Sequence, residues 1–186
     1  MYDTLKSILF RLDAETAHRL TLRALKLAPA FLLPCASKND ASLKNSIWGR
    51  SFPNPVGLAA GFDKNAEAIT SLFRLGFGFV EAGTVTLKPQ TGNPRPRVFR
   101  ALAAKAIINR MGFPNLGAAA FKTNITTFLM QRPRLQGVLG INIGMNKEQT
   151  DPAKDYTALV RSLGSMADYL TINISSPNTP GLRNLQ

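Results

Sequence analysis

Short apolar runs alternate with helix-like stretches from residue 55 to the end of the chain. Four of the runs predict buried strands, at residues 55–60, 77–85, 138–143 and 169–174. Helical periodicity predicts helices at residues 66–75, 116–130 and 156–163. Two extended pieces, 97–102 and 105–109, lie in a longer excursion after the second strand. Nearly continuous apolar strands separated by helices predict a parallel sheet covered on both faces, with right-handed crossovers.

The first 40 residues carry a different pattern, which predicts two short helices. The first has an apolar face formed by Leu5, Ile8, Leu9 and Leu12. Asp13 is a candidate N-cap of the second helix, and Pro29 is a candidate end. A linker at residues 34–40 then gives an expected division into residues 1–40 and 41–186.

The second helix carries a basic stripe beside an apolar stripe. The basic residues are Arg19, Arg23 and Lys26, and the apolar ones are Leu20, Ala24, Leu27 and Ala28. This pattern is typical of a helix in a membrane interface, and also of an amphipathic helix packed on its own domain. Both interpretations stay open at this point.

Four β/α units are half of an eight-unit barrel. The predicted fold class is therefore α/β, the N-terminal half of a (β/α)8 TIM barrel preceded by a small two-helix extension. A half-barrel leaves strand edges unpaired, so we expect this sequence to be part of a larger protein. The competing architecture is an open flavodoxin-like sheet, which calls for a phosphate-binding loop after its first strand. Residues 59–65, Ala-Ala-Gly-Phe-Asp-Lys-Asn, differ from such a loop.

Composition narrows the possible chemistry. The chain has 186 residues and is 45% hydrophobic, which suits one domain with a sizeable core. Its single cysteine, Cys35, rules out an intramolecular disulfide and a cysteine metal cluster, and its single histidine, His18, argues against a zinc site. No metal is expected. The net charge of +12 suits nucleic acid, an anionic membrane surface or an acidic substrate. No apolar run has the length of a transmembrane helix.

Polar residues follow the predicted strands, where β/α barrels keep their chemistry. After the first strand, small residues and Gly61 allow a planar ligand to approach the backbone, and Lys64 suits a carboxylate. Thr84, Asn142 and Asn173 lie near the carboxyl ends of the next three predicted strands. Two amides at matching places suggest a site for one polar heterocycle, although a solvated lysine and structural amides remain possible.

Several motifs in order along the chain resemble the dihydroorotate dehydrogenases, specifically the membrane-associated, quinone-dependent class. The matching segments are residues 57–64, 83–86, 93–100, 108–113, 140–144 and 172–183. The resemblance implies a barrel that binds FMN and oxidises dihydroorotate to orotate in pyrimidine synthesis, with a quinone as electron acceptor. It also implies peripheral association with the cytoplasmic side of a bacterial inner membrane, and no nucleic-acid partner.

The same resemblance implies roles for individual residues. Flavin contacts are expected from Ala60, Gly61, Phe62, Asp63, Lys64, Thr84, Asn142 and Asn173. Substrate contacts are expected from Lys64, Asn109, Arg110, Met111, Gly112, Phe113, Asn173 and Asn178. Ser176 would remove a proton from C5 while hydride leaves C6, and Thr179 and Phe113 would flank the proton path. His18 and Arg100 would lie near the quinone head.

Two rival functions remain at this point. An RNA-modifying flavin barrel similar to dihydrouridine synthases would explain the basic charge, but it is expected to place a cysteine near the strand ends. A non-enzymatic membrane-surface module would explain the basic stripe and leave the strand-end amides unexplained. The second half of the barrel, with its phosphate-binding loops, does not occur in this sequence, so the 186 residues alone are expected to be inactive.

Overall fold

The computed structural model describes residues 6–7, 9–33, 41–131, 135–179 and 181–186. Its α-helices are α1 (Ala14–Leu27), α2 (Ile69–Arg74), α3 (Gly117–Leu129) and α4 (Pro152–Leu163). Its strands are β1 (Asn45–Ile47), β2 (Arg50–Phe52), β3 (Gly57–Leu58), β4 (Phe79–Val85), β5 (Val98–Ala101), β6 (Ala106–Asn109), β7 (Val138–Ile143) and β8 (Tyr169–Ile172). Short 3-10 turns lie at Ala30–Leu32, Ala41–Leu43, Gly164–Met166 and Leu182–Leu185.

The central sheet contains the four predicted strands in the order β3-β4-β7-β8, and all neighbours are parallel. The prediction of a parallel sheet with helices between its strands is confirmed. Strand β7 has the predicted bounds, whereas β3 covers two residues instead of six and β8 ends two residues early. The chain leaves β3 early, so most of the small-residue segment after it is loop.

The two faces of this sheet have different chemistry, because side chains alternate along each strand. Val80, Leu139 and Ile141 point to one face and are 0–1% exposed within a core that also contains residues of α2, α3 and α4. Glu81 and Asn142 alternate with them and point to the opposite face. The expectation of a sheet covered on both faces is therefore confirmed for one face, whereas the described part of the other face carries the polar side chains Glu81 and Asn142.

Two antiparallel hairpins accompany the sheet. The β5–β6 hairpin corresponds to the two extended pieces expected in the excursion. The β1–β2 hairpin was not predicted, and its turn places Trp48 and Gly49 at positive φ. It packs on the sheet through Phe52, whose ring meets that of Phe79 edge-on with centroids 5.7 Å apart.

Helix α1 begins as predicted, because the Asp13 carboxylate accepts the backbone N–H of Thr16 at 2.9 Å. Its packing differs from the expected face. Leu22 and Leu25 contact the core, whereas Leu20 and Leu27 are 45% and 79% exposed. The helix therefore packs on its own domain and also presents an unburied apolar stripe.

The remaining N-terminal predictions lie largely outside the described residues. Of the first predicted helix, Leu5 and Ile8 are not described, so the two-helix extension is not confirmed. The linker at 34–40, with Cys35, is also outside the described residues, and the division near residue 40 stays a prediction. Among the helices that the structure describes, none is long and apolar enough to cross a bilayer.

A buried ion pair joins α1 to the excursion. The Glu15 carboxylate accepts hydrogen bonds from the Arg97 guanidinium at 2.7 and 3.0 Å, and from Arg95 at 2.9 Å. The side chains of Glu15 and Arg97 are only 9% and 6% exposed. Arg97 also donates to the carbonyls of Thr91 and Asn93. This pair fixes α1 against the loop that precedes β5.

Candidate active site at the strand ends

Three polar side chains meet at the carboxyl ends of β4, β7 and β8. The Thr84 hydroxyl donates to Asn142 Oδ1 at 2.6 Å. Asn173 Nδ2 contacts both Thr84 Oγ1, at 3.0 Å, and Asn142 Oδ1, at 3.2 Å. The sequence predicted that these residues share a site, and the geometry brings all three within hydrogen-bonding distance.

The backbone explains why they meet. Because β4, β7 and β8 are parallel neighbours, their carboxyl ends reach the same edge of the sheet. The backbone N–H of Asn173 donates to the Ile143 carbonyl at 2.9 Å, which continues the ladder past the end of β8. The Tyr156 hydroxyl of α4 donates to the Asn173 carbonyl at 3.0 Å. Asn173 is therefore held by both its backbone and its side chain.

A carboxylate below this cluster was not assigned a role from the sequence. Glu81 Oε1 accepts from Asn142 Nδ2 at 2.7 Å. Glu81 Oε2 accepts from the hydroxyls of Tyr169 and Thr171, each at 3.0 Å. The sequence offered one signal for Glu81: side chains alternate along a strand, so Glu81 lies on the same strand face as Gly83. Its partners lie 61 to 90 residues away, so the sequence did not show the contacts.

The loop after β3 combines an open backbone position with a cation. Gly61 has φ +103°, its N–H donates to the Gly83 carbonyl at 2.7 Å, and a Cβ placed on it would meet no atom within 4 Å. Lys64 Nζ donates to the Gly61 carbonyl. Burial lowers the pKa of Lys64 from 10.5 to about 8. The loop therefore offers space against the backbone and a partly desolvated amine beside it.

Asp63 has a structural contact in the same loop. The residue is 1% exposed, and its carboxylate accepts the backbone N–H groups of Glu67 and Ala68, both at 2.8 Å. Burial raises its pKa, and the two N–H donors oppose that shift. The Asp63 side chain thus holds the loop that leads into α2.

The segment after β8 forms a tight turn around Ser176. The backbone N–H of Asn178 donates to Ser176 Oγ at 3.2 Å. Thr179 is 3% exposed, and its Oγ1 has no hydrogen-bond partner within the described part of the chain. A buried hydroxyl without a partner is costly, so it marks a position where a ligand or water would be stabilised.

The loop at residues 109–113 faces this turn. A Cβ on Gly144 would lie 3.2 Å from the Phe113 ring and 2.7 Å from Thr84 Cγ2, so the ring lies beside the strand-end cluster. Asn93 Nδ2 bridges the two loops, at 2.9 Å from the Arg110 carbonyl and 3.5 Å from that of Asn178. The Arg110 guanidinium instead contacts the Pro96 carbonyl, at 2.9 Å.

The two predicted quinone residues lie near α1. The His18 ring bonds the Phe62 carbonyl through Nε2 at 2.6 Å and meets the Phe62 ring edge-on, with centroids 5.1 Å apart. Burial lowers the pKa of His18, which favours the neutral ring. Arg100 donates to the carbonyls of Leu12 and Leu9, at 2.7 and 3.3 Å. His18 thus lies on α1, and Arg100 binds the segment that precedes α1.

A cleft of about 820 Å³ separates α1 from the strand-end loops. Basic side chains dominate the charge of its wall: Arg19, Arg23, Lys26, Lys64, Arg95 and Arg97. Phe62 and Leu22 supply apolar surface. Lys64 is common to this cleft and to the loop after β3, so the cleft extends from α1 to that loop.

The parallel strands, their helices and the polar strand ends are those of a partial β/α barrel with a candidate ligand site at its carboxyl edge. A family model described as Dihydroorotate dehydrogenase matches residues 42–186. The chain belongs to the dihydroorotate dehydrogenase family.

Individual relatives agree with this assignment. The chain is 54% identical to a dihydroorotate dehydrogenase (quinone) of Rhodopseudomonas palustris strain HaA2, over 94% of this chain and 46% of the relative. It is 50% identical to the mitochondrial dihydroorotate dehydrogenase (quinone) of Cyclocybe aegerita, over 100% of this chain and 55% of the relative. A crystal structure of DHODH from Eimeria tenella in complex with ferulenol superposes with a TM-score of 0.87 and 44% identity, covering 93% of this chain and 46% of that one.

The chain spans about half the length of the curated relatives it matches. The family match confirms the predicted resemblance and supports a partial TIM barrel. It favours the dihydroorotate dehydrogenase family over the RNA-modifying barrel and the non-enzymatic membrane module as alternatives.

Proposed function

We propose that the full-length protein, meaning the product of the whole reading frame that contains this sequence, oxidises dihydroorotate to orotate with FMN and a quinone. The observation that carries the proposal is the hydrogen-bonded cluster of Thr84, Asn142 and Asn173 at the carboxyl ends of three neighbouring strands. Such an edge is where β/α barrels bind ligands. Relatives that are named dihydroorotate dehydrogenase (quinone) support the choice of reaction.

The residues at this edge fit a flavin ring. The open space above Gly61 allows a planar ring to approach the backbone, and the Asn142 and Asn173 amides supply polar groups for its edge. Contacts are proposed from Ala60, Gly61, Phe62, Asp63, Lys64, Thr84, Asn142 and Asn173. The contact of Asp63 would come from its backbone, because its carboxylate already accepts two backbone N–H groups of the loop. When bound, FMN supplies hydride acceptance from the substrate and electron transfer to the quinone.

Substrate would lie between the loop after β3, the loop at 109–113 and the turn after β8. The ammonium group of Lys64 would bind the substrate carboxylate, since it is cationic and partly desolvated. Asn109, Arg110, Met111, Gly112, Phe113, Asn173 and Asn178 are proposed as the other contacts. Asn93 supports this arrangement because it ties the two loops together.

Ser176 is proposed as the base that removes the C5 proton. A serine hydroxyl is a weak base at its ordinary pKa, so it needs both stabilisation and a proton path. The N–H of Asn178 already donates to Ser176 Oγ and would stabilise negative charge as the hydroxyl proton leaves. The unpartnered hydroxyl of Thr179 and the ring of Phe113 are the proposed boundaries of that path.

The quinone is proposed to enter beside α1, with His18 and Arg100 near its head. Exposed apolar residues support peripheral binding of this end to a membrane: Leu20 (45%), Leu27 (79%), Phe31 (85%) and Leu32 (66%). The basic residues of α1 would face anionic lipid headgroups. For a bacterial protein, the proposed location is the cytoplasmic side of the inner membrane.

Acceptor preference tests this function. With dihydroorotate as donor, the full-length protein should reduce a ubiquinone analogue rapidly, and fumarate or NAD⁺ at under a tenth of that rate. The readouts are orotate absorbance and the quinone signal, measured in the same sample. Equal turnover with a soluble acceptor would contradict the quinone assignment.

Substrate affinity should fall as the pH rises above about 8. Lys64 has a lowered pKa of about 8, so it is charged below that pH and neutral above it. Orotate affinity should therefore weaken by up to about tenfold per pH unit above 8, until the pKa of the complex is reached. Flavin difference spectra give the dissociation constant at each pH. Lys64→Met should bind weakly with a flat profile; a wild-type profile that stays flat to pH 10 would contradict the role of Lys64.

Polar substitution of the exposed stripe of α1 should impair use of a membrane-bound quinone. Leu20→Ser with Leu27→Ser removes apolar surface that we place in the bilayer, so the fraction bound to vesicles should fall about tenfold. The KM for a long-tailed quinone should rise, while flavin reduction by dihydroorotate stays unchanged. Val160→Ser on α4, also an exposed apolar position (42%), is the matched control. Equal vesicle binding by the control and the double variant would refute this surface.

A further inference from the structure

We propose that Glu81 is a positioning residue that fixes the amide orientation of Asn142 and, through it, the hydrogen-bond pattern offered to the flavin. The inference rests on the proposed function, in which Asn142 and Asn173 contact FMN. Glu81 would act from below the strand-end cluster, through Asn142, without touching the cofactor itself.

Three donors converge on the Glu81 carboxylate. Asn142 Nδ2 lies 2.7 Å from Oε1, and the hydroxyls of Tyr169 and Thr171 each lie 3.0 Å from Oε2. An ionised carboxylate only accepts hydrogen bonds, so it can satisfy all three donors. These donors come from two strands and hold the carboxylate in place.

This contact determines which way the Asn142 amide faces. With its nitrogen on Glu81, its oxygen faces Thr84 Oγ1 at 2.6 Å and Asn173 Nδ2 at 3.2 Å. The reversed amide would place its oxygen against the Glu81 carboxylate and its NH₂ group against the NH₂ group of Asn173. Both contacts are repulsive, so Glu81 selects one orientation and passes it on to Asn173.

The packing around Glu81 also supports its positioning role. Glu81, Gly140 and Tyr169 occupy one register row across β4, β7 and β8. A Cβ on Gly140 would lie 2.2 Å from Tyr169 Cζ, so the ring needs glycine there to cross β7 and reach Glu81. Burial and the neighbouring Glu81 charge raise the pKa of Tyr169, which keeps its hydroxyl a donor.

Two substitutions in the full-length protein distinguish a role of Glu81 in positioning the Asn142 amide from a role of its charge. Glu81→Met removes the acceptor at similar size and should weaken FMN binding to the apoprotein about 10–100-fold. Glu81→Gln keeps an oxygen that accepts from Asn142, and its NH₂ group would face the hydroxyls of Tyr169 and Thr171, which can accept. FMN affinity should therefore stay within about threefold of the wild-type value. Tyr169→Phe leaves the Glu81–Asn142 bond in place but removes one of the three donors to the carboxylate, so its loss of FMN affinity should be smaller than that of Glu81→Met.

A double-mutant cycle with Asn142→Ala tests whether the effect of Glu81 on FMN binding passes through Asn142. If Glu81 acts through Asn142, Glu81→Met should weaken FMN binding no further in the Asn142→Ala background. Additive losses would overturn the inference and leave the proposed function intact. Unchanged affinity in Asn142→Ala alone would contradict the flavin contact in the proposed function, and this inference with it. If Glu81→Met does not fold, the Glu81→Gln variant is the test instead. A tenfold loss of FMN affinity in that variant would overturn the positioning role.

Discussion

Replacing Ser176 with alanine in the full-length protein is expected to slow reduction of the bound flavin by dihydroorotate about 10²–10⁴-fold. The substitution removes the hydroxyl that the Asn178 N–H contacts at 3.2 Å, and with it the proposed proton acceptor. FMN should stay bound, because the strand-end cluster of Thr84, Asn142 and Asn173 does not involve Ser176. Anaerobic rapid mixing gives the rate from the loss of flavin absorbance.

Ser175→Ala is the matched control for this variant. Ser175 is the adjacent serine and is exposed. The substitution removes its hydroxyl contact with Asn173 Oδ1, at 3.3 Å, but its backbone N–H contact with the same oxygen, at 3.2 Å, survives. Flavin reduction should change less than about threefold, well below the loss that is typical of a removed base. A Ser176→Ala enzyme that reduces its flavin as fast as the Ser175→Ala enzyme would refute the assignment of the base.

Replacing Glu15 with alanine is expected to destabilise the protein by about 3–5 kcal/mol. The substitution leaves the buried Arg97 guanidinium without its carboxylate partner, in a site where both side chains are under a tenth exposed. Hydrogen bonds from Arg97 also hold the pKa of Glu15 below 4.5. The pair therefore contributes fully above pH 4.5, and this contribution is lost as the pH falls through the lowered pKa.

Urea denaturation of the full-length protein measures this effect. The matched control is Glu67→Ala, which removes the partner of Lys26 in an ion pair whose side chains are 24% and 48% exposed. That loss should be at most about 1 kcal/mol. Equal destabilisation by the two substitutions would show that the Glu15–Arg97 pair is not the anchor of α1.

Regular elements with strong local signals could be predicted from the sequence. Strand β7 is a continuous apolar run and has the predicted bounds. Helix α4 begins at Pro152, four residues before its prediction, because Asp151 caps it and proline occupies its first turn. The β1–β2 hairpin was missed because most of its residues are exposed and carry no apolar alternation.

The candidate site was predictable only in part, for a physical reason. Thr84, Asn142 and Asn173 each stand out as polar residues near the carboxyl ends of apolar runs, and parallel strands bring such positions together. Glu81 lies within a strand, and its role depends on register with residues in β7 and β8. Glu15 lies in the first turn of α1, where an acidic side chain suits the positive end of the helix, and its main partner, Arg97, lies 82 positions away.

The proposed reaction is tested most directly by the response of the flavin in the purified full-length protein to dihydroorotate without oxygen. The protein should be yellow with about one FMN per chain, and its absorbance should be lost on adding dihydroorotate and return on adding a quinone. A colourless protein, or a flavin spectrum that dihydroorotate leaves unchanged, would contradict the proposed reaction.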